Sequence, residues 1–147
     1  MIKTVFHYLN NDETLNSLLG QDVSSGKIKL FNGRPQATNN SQLNDNGSFI
    51  DFPYIVYNVV PIGNSNLTQD YRLQLFIVSD DDIQLANVMD RLNDLLDFRL
   101  YNVKRPSHRV NGDILLHSIL QNAGNQTYYE KEKVFEQNLN FIIKRKK

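Results

Sequence analysis

The 147-residue sequence contains no cysteine. Disulfides, thiolate metal sites and a cysteine nucleophile are therefore excluded outright. It has no net charge either, because 16 basic and 16 acidic residues cancel. No global field draws such a chain onto DNA or an anionic membrane. Long apolar runs are missing, and nothing approaches the roughly 18–20 residues of a membrane-spanning helix. The opening MIKTVFHYLNNDETLNSLLG lacks the continuous apolar centre and small-residue cleavage site of a signal peptide. A soluble, non-exported chain is expected. Glycines are few, and none forms a phosphate cradle; Gly33, Gly47, Gly63, Gly112 and Gly124 read as turn residues.

What is present is organised around Tyr71 to Phe98. Tyr71, Leu73, Leu75 and Ile77 alternate with Arg72, Gln74, Phe76 and Val78, the period of a strand. Its second face turns apolar from Phe76, so the strand is expected to enter the interior as it runs. Ser79 ends it. With Asp82 three positions on, Ser79 reads as the N-cap of a helix, and Asp80, Asp81 and Asp82 suit the positive end of the dipole. Ile83, Ala86, Met89, Leu92 and Leu95/Leu96 then form the expected apolar stripe of four to five turns.

The remaining elements follow from local pattern. Val5, Phe6 and Leu9 fit a short first helix, and Asp12 caps a second that ends at Gly20. Lys27 to Phe31 is a short strand closed by Asn32-Gly33. The polar stretch 33–48 has no periodicity and reads as a loop. Phe52 to Val60 is dense in β-branched and aromatic residues, a buried strand with Pro53 near its start. Pro61 to Gln69 links it to Tyr71 as a long hairpin with a polar tip. Leu100 to Lys104 is a short strand candidate. Asp113 to Leu120 is a further strand, a turn is expected over Gln121 to Gln126, and Thr127 to Ile143 follows as a long strand. Phe135, Leu139, Phe141 and Ile143 are on its buried side. Lys144 to Lys147 reads as a basic, frayed tail. The sum is one α+β domain over 1–147, with a mainly antiparallel sheet of about 4–5 strands and two principal helices on one face.

Chemistry is hard to find. His7, His108 and His117 have no second ligand at metal-site spacing and read as surface or packing residues. Asp80 to Asp82 read as a cap rather than a cation site. Asp51, Asp70 and Asp113 flank strands; a nuclease-like cluster would need them to meet in space. Lys104, Arg105 and Arg109 form a small basic run whose alternative use is phosphate contact. Nineteen asparagines speak for polar loops rather than a reaction. No catalytic residue, cofactor or metal is assigned. Aromatics are plentiful on strands, and Tyr54, Tyr57, Tyr128 and Tyr129 suit a protein interface, where tyrosine is favoured as large, rigid and amphipathic. These four, with Arg105 and Arg109, are the candidate interaction residues.

In order and phrasing the chain resembles the tail terminator (tail completion) proteins of long-tailed bacteriophages. The features that carry this are LNNDETLNSLLG, the short strand, Phe52-Pro53-Tyr54-Ile55-Val56, then LQLFIVSDDDIQLANVMDRLNDLL, and the final FEQNLNFII. The loop at 33–48 is longer than the family's usual one. The resemblance implies a non-enzymatic virion subunit, assembled in the host cytoplasm and forming a homo-hexameric ring. That ring would cap the tail tube, stop its polymerisation and meet the head-closure or neck protein. Genomic DNA would pass through the lumen unread, and no membrane is involved. A neck or head-closure adaptor is the nearest alternative; a small metal-dependent nuclease and a nucleic-acid-binding protein are more distant ones.

Overall fold

The computed structural model describes residues 1–21, 29–33, 52–98, 108–110 and 112–147. The elements in order are α1 (Ile2–Asn10), α2 (Glu13–Leu19), β1 (Leu30–Asn32), β2 (Tyr54–Asn64), β3 (Thr68–Ser79), α3 (Asp82–Leu96), β4 (His108–Val110), β5 (Asp113–Tyr129) and β6 (Val134–Lys146). The strands form one sheet in the order β1-β2-β3-β6-β5-β4. It has six strands, one or two more than expected, because the three-residue β1 and β4 extend its two sides. Every pairing is antiparallel except β1 with β2. Expected strand Leu100 to Lys104, loop residues 34–48, Asp51 and Arg105 lie outside the described residues.

The core lies on one face of this sheet. Ile55 and Tyr57 of β2, Leu73, Leu75 and Ile77 of β3, and Leu139, Phe141 and Ile143 of β6 share one parity, and all are buried. Val5 and Leu9 of α1, Leu15 and Leu19 of α2, and Leu85, Val88, Leu92 and Leu96 of α3 pack onto them. Three helices rather than two therefore contribute to the layer. Among the described residues no helix is long and apolar enough to cross a membrane.

The second helix is built as its sequence suggests. Asp12 accepts from Leu15 N at 2.7 Å, and Gly20 closes the helix in the left-handed region at φ 65°. The third helix differs in two respects. Its N-cap is Asp81, whose Oδ1 accepts from Ile83 N at 2.9 Å and Gln84 N at 3.3 Å. Ser79 stays in β3; its hydroxyl accepts from Asp81 N and donates to Gln84 Oε1. The stripe also differs in its first members: Leu85, Val88, Leu92 and Leu96 face the sheet, Met89 and Leu95 are half-buried beside them, and Ile83 and Ala86 are exposed, because a strict three-residue repeat drifts around a helix of 3.6 residues per turn.

The final hairpin also departs from expectation. No turn forms over Gln121 to Gln126. Strand β5 runs unbroken to Tyr129, and the reversal falls at 130–133, with Lys133 at φ 57°. Register shifts at Leu120/Asn122 and Ala123/Gln126 absorb Gly124 and its neighbours as bulges. Gly124 suits the close approach there, since a Cβ would lie 3.0 Å from Asn138 Cβ and push it aside. Gln137 Nε2 also donates to Gly124 O across the bulge. Nor does the basic run fray: Lys144, Arg145 and Lys146 pair with Asp70, Gln69 and Thr68 of β3.

Candidate functional site

The sheet's core face ends in an open cleft of about 500 Å³ beside the start of α1, lined by Ile2, Lys3, Val59, Pro61, Tyr71 and Asp113 among others. Its polar groups are engaged with one another. Thr4 Oγ1 donates to Asp113 Oδ2, and Arg145 Nη1 lies 3.4 Å from Asp113 Oδ1. Arg145 Nη2 donates to Gln69 Oε1 at 2.9 Å, which also accepts from Tyr71 OH at 2.7 Å. The guanidinium lies over the Tyr71 ring, 5.4 Å from its centre. Among the described residues Asp113 is the one acid lining the cleft, and it is held by two partners, so the arrangement offers a latch between α1, β5 and β6 rather than a proton-transfer pair.

The acid-cluster reading is not supported by the two carboxylates described. Asp70 pairs with Lys144 at 3.9 Å and Asp113 with Arg145. Lys144 and Arg145 are consecutive in one strand, so they point to opposite sides of the sheet and carry their acids apart. Among the described residues no three of His, Asp and Glu gather where a metal ion could sit.

The candidate interaction residues are scattered. Tyr57 is 3% exposed and belongs to the core, so its ring is not available to a partner. Burial pushes its hydroxyl above the ordinary phenol range. Tyr54 is on the opposite face, half-buried, its ring edge-on to Phe31 at 6.0 Å and stacked on Phe52 at 5.9 Å. Its hydroxyl is likewise shifted up, by burial first and by the Glu136 charge second. Tyr128 and Tyr129 are 49% and 42% exposed at the far end of the β5–β6 hairpin, Tyr128 tilted against Phe135 at 4.7 Å. Arg109 has its backbone in β4. Tyr128 and Tyr129 are neighbours in β5 at the exposed hairpin end, but as consecutive strand residues they point to opposite sides of it.

Two surfaces escaped the reading of local motifs. The first is the sheet face opposite the helices, which no described helix covers. Cross-strand partners there assemble an amide row, Asn58–Gln74–Asn140–Asn122, and next to it an apolar row with one cation, Val60–Arg72–Ile142–Ile119. The second is the outer side of α3, where Asp82, Ala86, Asp90 and Asp94 recur every four residues, all exposed. The sheet rows exist only once strands are placed in register, whereas the four-residue spacing of the α3 acids was open to view.

No protein-family model matches the sequence. No curated protein matches it either. Among solved structures, a chain from "Virion of native gene transfer agent (GTA) particle" superimposes with a TM-score of 0.62 at 12% identity. The match covers 99% of this chain and 93% of that chain. At such identity the likeness speaks to architecture and not to activity. The chain has, nearly end to end, the fold of a chain found in a gene transfer agent virion.

Proposed function

We propose that this protein is a structural subunit of a phage-like virion, and within it the tail terminator. In this reading copies close into a hexameric ring that caps the tail tube, ends its polymerisation and presents the surface that meets the head-closure protein. The observation that carries it is the end-to-end fold likeness to a virion chain, 99% of one and 93% of the other. The phrases Phe52-Pro53-Tyr54-Ile55-Val56 and FEQNLNFII, which resemble tail terminators, favour that layer over the neck. The site geometry agrees with a protein that acts by binding. Its cleft acid is paired with Arg145 and hydrogen-bonded by Thr4, while its free surfaces are broad sheet and helix faces. A ring needs two different surfaces per subunit, one meeting the other on the next copy. The neutral net charge suits a lumen through which DNA slides without being gripped.

Purified protein mixed with growing tail tubes tests this. Negative-stain images are expected to show a ring at one tube end, and tube lengthening stops. Binding to portal-bearing heads and not to tubes would reassign the chain to the neck. Absence from purified particles, by mass spectrometry, would remove it from the virion altogether.

A further inference from the structure

The zero net charge conceals a separation. On α2 and α3 the exposed charges are Glu13, Asp82, Asp90 and Asp94, with Asp80 and Asp81 just ahead; among the described residues neither helix has an exposed lysine or arginine. Arg91 is turned inward onto Asp12. Like charges one turn apart weaken a helix, so the Asp90/Asp94 pair does nothing for the isolated fold. Beyond the sheet the balance reverses. Arg72, Lys144 and Lys146 share the open face, in adjacent strands and adjacent rows. Asp70 offsets part of this at 3.9 Å from Lys144, and Glu136 lies at the other end of β6.

We propose that the acidic outer side of α3 docks on the cationic end of the open sheet face of a second copy. This deepens the ring reading above and rests on it. Charge complementarity names the occupant, since every copy carries one surface of each sign on opposite sides of its sheet. The spacings also match. Asp90 and Asp94 are one helical turn apart, about 6 Å. Lys144 and Lys146 are alternate residues of a strand, about 6.7 Å apart. Each surface adds an apolar element: Ile83, 70% exposed beside Asp82, and the row of Val60, Ile142 and Ile119, in which Val60 is 45% exposed. The contact is heterologous, so it repeats from copy to copy and closes if the rotation allows.

Charge reversal in both directions tests it. The variant with Asp90→Lys and Asp94→Lys has two basic surfaces; the variant with Lys144→Glu and Lys146→Glu has two acidic ones. Each alone is expected to lose the assembled species in sedimentation velocity at low salt while keeping the wild-type circular dichroism spectrum. An equimolar mixture is expected to recover it, because each variant's surfaces fit the other's. Added salt lowers wild-type assembly. A wild type that stays monomeric at high concentration and low salt, assembly untouched by either reversal, or a mixture of folded variants that fails to assemble overturns the proposal. Retention of the wild type on duplex DNA without self-association would give the cationic row to nucleic acid instead. Tube capping is read separately, so capping that survives both reversals removes this interface and leaves the terminator reading standing.

Discussion

Asp12 does the work of three contacts with one carboxylate. It caps α2 through Leu15 N, accepts from Arg91 Nε at 2.9 Å and from Arg91 Nη2 at 2.5 Å, and so fastens α2 to α3 across 79 residues of sequence. The Arg91 hydrogen bond, chiefly, holds its pKa below the ordinary 3.8, with the Leu15 amide assisting and burial opposing. A folded-state value below the unfolded one stabilises the protein above the unfolded pKa, and this is lost as pH falls through the folded value. Asp12→Ala is expected to lower the unfolding free energy by about 2 kcal/mol in urea titrations at neutral pH, combining a lost cap with a stranded arginine. The gap between wild type and variant should narrow below pH 3.8. An equal gap at acid pH would show that the carboxylate's charge is not what matters. The cap half of this was legible in the sequence, because a cap is decided within four residues. The Arg91 half was not, because nothing local marks which distant acid the one arginine of α3 meets.

At the scale of elements, the stripe on α3 shows how a three-residue repeat drifts off the buried face of a helix that turns every 3.6 residues. The expected stripe of Ile83, Ala86, Met89, Leu92 and Leu95/Leu96 shares Leu92 and Leu96 with the buried face, whose steps of three and four residues from Leu85 through Val88 keep it on one side. Leu92→Ala is therefore expected to cost about 3 kcal/mol. Ile83→Ala should stay within about 0.5 kcal/mol, since its side chain is exposed. Thermal melts of the two variants check the order, and a larger loss at Ile83 would restore the expected stripe. The β5–β6 hairpin was misread for another reason. Ala123-Gly124-Asn125 has the composition of a turn, yet Gly124 serves close approach to Asn138 within a bulge, and the strand continues. Strand identity was legible from alternation in Phe135 to Ile143, whereas bulges depend on the partner strand. The consequence is an arm whose end, from Asn125 to Lys133, is exposed. Tyr128→Ala with Tyr129→Ala is expected to leave the circular dichroism spectrum intact and to reduce capture of tail tubes severalfold in a pelleting assay. Unchanged capture would take the arm out of the tube contact.

For the molecule as a whole, the join between β3 and β6 is decisive. The N-terminal part, α1 to β3, and the C-terminal part, α3 to β6, each bring a hairpin to the sheet. Neither hairpin would be stable by itself, because two strands bury too little. They meet along an unbroken register from Thr68 opposite Lys146 to Ser79 opposite Phe135. The same seam sits under the helices, with Leu73, Leu75 and Ile77 opposite Phe141, Leu139 and Gln137. Lys147 N extends it to Leu67 O at 2.9 Å. Neither part can leave without exposing the other's core face, so the described fold is expected to unfold as one unit. Far-ultraviolet circular dichroism and tyrosine fluorescence should give superimposable urea transitions. Truncation after Ile143 removes Arg145 with its Asp113 and Gln69 contacts and the last paired rows; it should move both transitions together to lower urea. Two separated transitions, or a truncation that moves only one probe, would mean that the two parts hold their structure independently and that the β3–β6 seam joins finished pieces instead of creating one.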